Sequence, residues 1–322
     1  MLGRPSPLPA DPSPASCSWV RHSLQLSAHR LSVLERLPFT PGQQPAIVLL
    51  HGLVAEADTF RRLMRLLPSD RRILAVDMPG AGYSERPTTA DVTFTGLAEL
   101  VREAFAALQL HQPVLLGHSH GGAVALALAA QSPEALSALI LLAPAHPFST
   151  QENTLIRFYL SRPGHLFAQM LPHVPRWLFL AAFRNMPGTH NDFGYRELAP
   201  YLHTIRTPGT VPHILRMLHS WLDDMASLAS SLRRTQPRIP ALLLWGDRDY
   251  VVPASTSRLL METLPRSTLV VLHNLGHLPN DEDPAATAAA INHWLATCPE
   301  DPASTLDLSP QLPAQTPTQP TP

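Results

Sequence analysis

Apolar residues along this chain gather into short unbroken runs, separated by polar turns and by longer stretches with helical spacing. AIVLLHG (46–52), ILAVDMPG (73–80), PVLLGHS (113–119), ALILLAP (138–144), ALLLWGD (241–247) and STLVVLHN (267–274) each read as a strand that is apolar on both faces. Residues 22–37 add two antiparallel strands with imperfect alternation. Between the runs, 94–110 carries Leu97, Leu100, Val101, Ala104, Phe105 and Leu108 at i, i+3, i+4 spacing. Residues 120–131 form a small-residue helix that can lie close on a sheet, and further helices fall near 254–263 and 284–296. Strands buried on both sides and alternating with helices predict an α/β protein with a doubly wound, mostly parallel sheet of eight strands.

The alternation breaks at 145–235. This stretch holds no buried strand but several helical pieces, TLIRFYL, HLFAQML, PRWLFLAAF, ELAPYLHTI and VPHILRMLHSWLDDMASLASSLRR. It is expected to be a helical cap inserted after the sixth strand, whose apolar underside would line a pocket. Phe148, Phe158, Trp177, Phe179 and Trp221 are candidates for that lining, although core packing competes at each. The expected organisation is a proline-rich mobile tail at 1–21, a core of 22–144 and 236–298, the cap, and a second proline-rich tail at 299–322.

Composition removes several function classes. Of 322 residues 45% are hydrophobic and 15% charged, the balance of a folded domain; the formal charge is −1. No basic run exceeds two residues, so neither nucleic acid nor an anionic surface is invited by the sequence. All 24 cationic residues are arginine, which takes lysine out of every catalytic role. Cys17 and Cys298 lie near opposite ends and form neither a CxxC nor a metal spacing. Prolines interrupt the first 19 residues, and no stretch approaches the ~18 apolar residues of a membrane span. A cytoplasmic protein acting on a small molecule is expected, with monomer and dimer both open.

The candidate chemistry begins at Gly117-His118-Ser119-His120-Gly121, a G-x-S-x-G where a strand becomes a helix. The turn is sharp enough that the positions two before and two after the serine must be almost free of side chain, and the following helix presents unpaired N–H groups. In a doubly wound sheet, functional groups collect at the carboxyl ends of strands. Four such ends carry relevant residues: His51-Gly52-Leu53, Ser119-His120, Asp247 and Asp249, and His277.

In these motifs the chain resembles the α/β-hydrolase fold superfamily, of the capped, serine-nucleophile type. HGL at 51–53, DMPGAGYSERP at 77–87, GHSHGG at 117–122, WGDRDYVVP at 245–253 and GHLPNDEDP at 276–284 carry the resemblance. It implies Ser119 as nucleophile, His277 as general base and Asp249 as its orienting acid, with Asp247 tying down the turn. It also implies an oxyanion site from the backbone N–H groups of Leu53 and His120, with His51, Gly52, Gly117 and Gly121 as supporting turns. His273 is the rival base, but it falls within a strand. The His118-x-His120 pair has no third ligand spaced with it, so neither metal nor cofactor is expected, and Gly80-Ala81-Gly82 lacks the spacing of a phosphate loop.

The implied activity is hydrolysis of a carboxylic ester, or a related acyl bond, of a small apolar substrate. Serine at the elbow disfavours the aspartate-based epoxide hydrolases and haloalkane dehalogenases of the same superfamily. Carbon–carbon bond hydrolases, acyltransferases and cofactor-free perhydrolases share the triad. The first of these typically have Asn and an aromatic residue where this chain has His118 and Leu278. A slow ligand-binding relative is the non-enzymatic alternative.

Overall fold

The unbroken apolar runs become the middle of one sheet. In the computed structural model, which describes residues 18–27, 29–37, 44–149, 152–184 and 193–297, eight strands lie in the order β1-β2-β4-β3-β5-β6-β7-β8. They are β1 (Trp19–Gln25), β2 (Arg30–Arg36), β3 (Ile47–Leu50), β4 (Ile73–Asp77), β5 (Val114–His118), β6 (Ala138–Leu142), β7 (Ala241–Gly246) and β8 (Ser267–Leu272). β1 and β2 pair antiparallel, as do β2 and β4, and every other pairing is parallel. The helices are α1 (Arg61–Leu66), α2 (Phe94–Ala107), α3 (His120–Gln131), α4 (Glu152–Leu160), α5 (Arg162–Met170), α6 (Arg176–Arg184), α7 (Tyr195–Arg206), α8 (Thr210–Thr235), α9 (Ser257–Met261), α10 (Pro279–Glu282) and α11 (Pro284–Thr297).

Successive strand residues point to opposite sides, and here both sides are covered. Val48, Leu50, Leu115, Leu139, Leu141 and Leu243 join a core with α2, α3 and α8. Ile47, Leu49, Leu116, Ile140, Leu142 and Leu244 join a second core with α1 and α11. That double burial is why these strands read as continuous apolar runs rather than as alternations. β3 lies between β4 and β5, so the winding reverses there and a crevice opens beyond the strand ends.

Two strand ends differ from expectation. β1 begins at Trp19, inside the stretch expected to be tail. Trp19 pairs in register with Arg36, the Arg61 guanidinium lies 4.9 Å from the centre of its ring, and Arg21 holds Asp77 at 2.9 Å. These cross-chain partners extend the strand three residues beyond its apolar pattern. β8 stops at Leu272, so His273 stands after the strand rather than within it. The rest of the proline-rich ends, with Cys17 and Cys298, falls outside the described residues.

Between β6 and β7 lie α4 to α8, with no strand among the described residues there. α7 is tied to the core by two buried carboxylates. Glu56, after β3, accepts hydrogen bonds from Thr204 Oγ1 (2.7 Å) and pairs with His203 Nδ1 (2.6 Å). Tyr201 Oη donates to Asp281 Oδ2 at 2.7 Å. Burial raises both carboxyls above the ordinary range, Asp281 to about 7. Among the described residues no helix is long and apolar enough to cross a membrane.

Candidate active site

Ser119 occupies the turn between β5 and α3 with φ 50° and ψ −117°, a conformation costing about 1–3 kcal/mol for a residue with a side chain. Its neighbours explain why that cost is met. The Ser119 N–H donates to Leu142 O (3.1 Å), and its own carbonyl accepts from Ala145 N–H (2.9 Å) and Gly122 N–H (2.8 Å). A Cβ on Gly117 would stand 2.4 Å from Gly121 O, and one on Gly121 would stand 2.3 Å from Leu50 O. Both contacts are with backbone, so neither can yield by a rotamer change. Gly121→Ala is therefore expected to lower stability by about 3 kcal/mol, read as a drop in denaturant midpoint; an unchanged midpoint would contradict the packing described.

His277 comes from the loop after β8 and Asp249 from the loop after β7. His277 Nε2 lies 3.0 Å from Ser119 Oγ, and its Nδ1 lies 2.9 Å from Asp249 Oδ2. Asp249 Oδ1 accepts the N–H groups of Val251 and Val252 at 2.8 and 2.9 Å. With both oxygens engaged as acceptors, the carboxylate requires a proton on His277 Nδ1 and leaves the Nε2 lone pair facing the serine hydroxyl. Asp247 points elsewhere: it accepts Asn274 N–H at 2.7 Å and pairs with His273 Nδ1 at 2.6 Å on the exposed surface. The structure thus brings together Ser119, Asp249 and His277 and leaves Asp247 and His273 outside.

Two further residues hold His277. Glu282, on the short α10, accepts Gly276 N–H at 2.7 Å and Leu278 N–H at 2.9 Å, gripping the residues on both sides of His277. His118 Nε2 donates to the His277 carbonyl at 2.8 Å. Burial, with His277 as the second cause, pushes the His118 pKa down to about 3, so its ring is neutral. Neither role is readable from spacing. Glu282 lies within the GHLPNDEDP segment, where an acid two residues before a helical run looks like an exposed turn residue.

The other wall is built by the loop after β3. His51 Nε2 accepts Met78 N–H (3.0 Å) and its Nδ1 donates to Gly52 O (2.8 Å), so the ring locks two strand-end loops together. Val54 is held at φ 68°, unusual for a β-branched residue, and shapes the turn that carries Leu53. A Cβ on Gly52 would approach Ser119 Cβ to 3.2 Å, which places this loop directly against the serine. Among the described residues, the N–H groups of Leu53 and His120 have no hydrogen-bond acceptor. A narrow cleft opens here, lined by Gly52, Leu53, His120, Thr204, His213 and Met217 among others.

His120 turns its ring away from His118, packing between Phe94 and Trp221 at centroid distances of 5.7 and 5.9 Å. Burial lowers its pKa to about 3. Among the described residues no group of three or more His, Cys, Asp or Glu is arranged to hold a metal. None of the five aromatic candidates lines the cleft. Trp221 is buried against His120, Phe179 enters the apolar cluster under α7, and Phe148 packs on the core. Phe158 and Trp177 face outward. Helix orientation, invisible to residue type, decides the four that lie on helices.

This topology and this arrangement of groups define an α/β hydrolase. The chain belongs to the alpha/beta hydrolase fold family, whose profile matches residues 45–284. It is 31% identical over 260 residues to the 2-hydroxymuconate semialdehyde hydrolase of Pseudomonas sp. (strain CF600), covering 78% of this chain and 86% of that protein. It is 29% identical over 256 residues to the uncharacterized hydrolase YugF of Bacillus subtilis (strain 168), covering 79% and 91%. With the monoacylglycerol lipase ABHD6 of Homo sapiens it shares 25% over 279 residues, covering 80% and 77%.

Proposed function

We propose that this protein is a serine hydrolase that cleaves a carboxylic ester of a small, largely apolar substrate through an acyl-enzyme. The observation that carries the reading is the directed chain from Asp249 through His277 to Ser119 Oγ. Ser119 Oγ attacks the ester carbonyl carbon while its proton passes to His277 Nε2. The carbonyl oxygen becomes the oxyanion of a tetrahedral adduct and takes hydrogen bonds from Leu53 N–H and His120 N–H, each worth roughly 3 kcal/mol in a dry site. His277 returns its proton to the departing alkoxide, the carbon–oxygen bond breaks, and the acyl group stays on Ser119. Water then attacks, giving a proton to His277; collapse of the second adduct restores Ser119 and releases the acid. Asp249 fixes the ring and stabilises the imidazolium in both halves. We place the helices of 145–235 as the cap over this cleft, with α8, through Thr210, His213, Ile214 and Met217, and α7, through Thr204, as its inner wall.

The lipase relative supports ester chemistry, and Ser119 sets the reading apart from aspartate-based members of the fold. A second reading, hydrolysis of a carbon–carbon bond in a ring-cleavage product, draws on the likeness to the Pseudomonas enzyme. Leu278, buried in an apolar cluster beside the base, favours the ester. The test is labelling by a fluorophosphonate. Wild type is expected to label stoichiometrically and Ser119→Ala not at all, while an ester panel turns over and a ring-cleavage diketone does not. A folded wild type that resists the label would overturn the nucleophile assignment.

A further inference from the structure

The helical insertion turns an apolar stripe toward solvent. In α5, Pro163, Leu166, Phe167 and Met170 follow i, i+3, i+4, i+7 spacing, the stripe that a helix of a globular protein ordinarily buries. Here Leu166 is 63% exposed, Met170 58% and Phe167 45%. The packed side of the helix is made instead of Gly164 and Ala168. A Cβ on Gly164 would stand 1.8 Å from Phe158 O, so α5 lies flat on α4 through its small residues and its bulky ones are left outside. The exposed Phe158 ring stands 6.1 Å from Phe167, and Trp177 and Leu178 on α6 are also exposed.

Charge on the same helices is one-sided. Over α4 to α6, residues 152 to 184, there are four arginines (Arg157, Arg162, Arg176 and Arg184) against one carboxylate, Glu152 at the start of α4, in a chain of formal charge −1. Among the described residues no carboxylate pairs with Arg157, Arg162 or Arg176. Beside the stripe, Arg162 and His165 share a shallow groove with Ser161 and Gln169. Large exposed apolar side chains next to arginines that lack a carboxylate partner fit a surface with acyl chains beneath and phosphates above. A second protein copy, which would bring the same arginines, fits them less well.

We propose that α4 to α6 form a docking face for an anionic phospholipid bilayer, with the α5 stripe entering the acyl boundary and the arginines meeting headgroup phosphates. The inner side of α5 and α6, through Ala168, Phe179 and Leu180, belongs to the cluster that contains Leu278, the neighbour of His277. Inside this layer α7 and α8 line the cleft through Thr204, Thr210, His213, Ile214 and Met217, so apolar substrates concentrated in the membrane are delivered to the outer side of the helical insertion that covers it.

The full chain is to be sedimented with phosphatidylcholine vesicles, with and without phosphatidylglycerol. Binding is expected with phosphatidylglycerol, weakening as ionic strength rises. Combined Leu166→Ser, Phe167→Ser and Met170→Ser should lower partitioning about tenfold or more, and Arg157→Gln with Arg162→Gln should remove the preference for the anionic lipid. The substituted side chains lie on the outer side of α4 and α5, so the variants should stay folded, the triple variant melting slightly lower for the loss of the Phe167 contacts with Phe158 and Tyr159. The assay reads binding rather than turnover, so it is independent of the serine chemistry. No binding by wild type, or equal binding by wild type and the triple variant, would overturn the proposal. So would a dimer in lipid-free solution that the triple variant dissociates, since a second copy would then be what covers this face.

Discussion

An Asp249→Asn variant is expected to fold normally and lose about ten-thousand-fold in kcat with KM little changed, whereas Asp247→Asn keeps near-full activity. The large effect follows from proton placement. In the variant, the side-chain oxygen is retained by the N–H groups of Val251 and Val252, which now hold Oδ1. The amide NH₂ is left to face His277 Nδ1. An NH₂ donates, so Nδ1 must accept and the ring proton moves to Nε2, the atom that should take the proton of Ser119. Asp247 serves a turn beside exposed His273, where loss of charge has little consequence. Steady-state kinetics on a soluble ester distinguish the two. An active Asp249→Asn beside an inactive Asp247→Asn would reverse the assignment.

The second large effect is on stability and depends on pH. Asp281 sits buried beneath α7 with its carboxyl raised to about 7, burial being the main cause. The hydrogen bond from Tyr201 and the charge of Arg62 pull the other way. The native protein therefore keeps a proton that the unfolded chain has already released between the ordinary carboxylate range and about pH 7. Native stabilisation from this group is complete below that window and is lost as pH rises through it, a difference of roughly 4 kcal/mol at about 1.4 kcal/mol per unit. Asp281→Asn keeps an acceptor for the Tyr201 hydroxyl and has no charge to bury. It is expected to melt higher than wild type at pH 8 and to show a flatter stability profile between pH 5 and 8. Denaturant melts across that range provide the check, and an Asn variant less stable than wild type at pH 8 would contradict the account.

Much of this architecture is legible in residue order alone because each central strand is buried twice and so announces itself as an apolar run. The elbow is legible for a different reason: Gly117 and Gly121 answer a local steric demand, written at fixed spacing around Ser119. What cannot be read is any partnership set by tertiary approach. Asp281 finds Tyr201 80 residues away, and Glu282 grips the backbone on both sides of His277. In sequence the two acids look like a solvated PNDED turn. The outward aim of Phe158 and Trp177 is equally hidden, because an aromatic residue at helical spacing carries no mark of which side of its helix meets a neighbour.

On the proposed mechanism, the strand order also sets when during synthesis this protein can become reactive. Ser119 and His277 are 158 residues apart, and β8, which delivers the histidine, joins the sheet at its edge as the last strand made. A chain emerging from the ribosome can assemble β3 to β6 and the strained serine turn long before its base exists. With His277 as the base we propose, the nascent protein carries the serine in an unactivated form until almost its whole length has been made, and chemistry begins only when the final helices close the loop that holds His277.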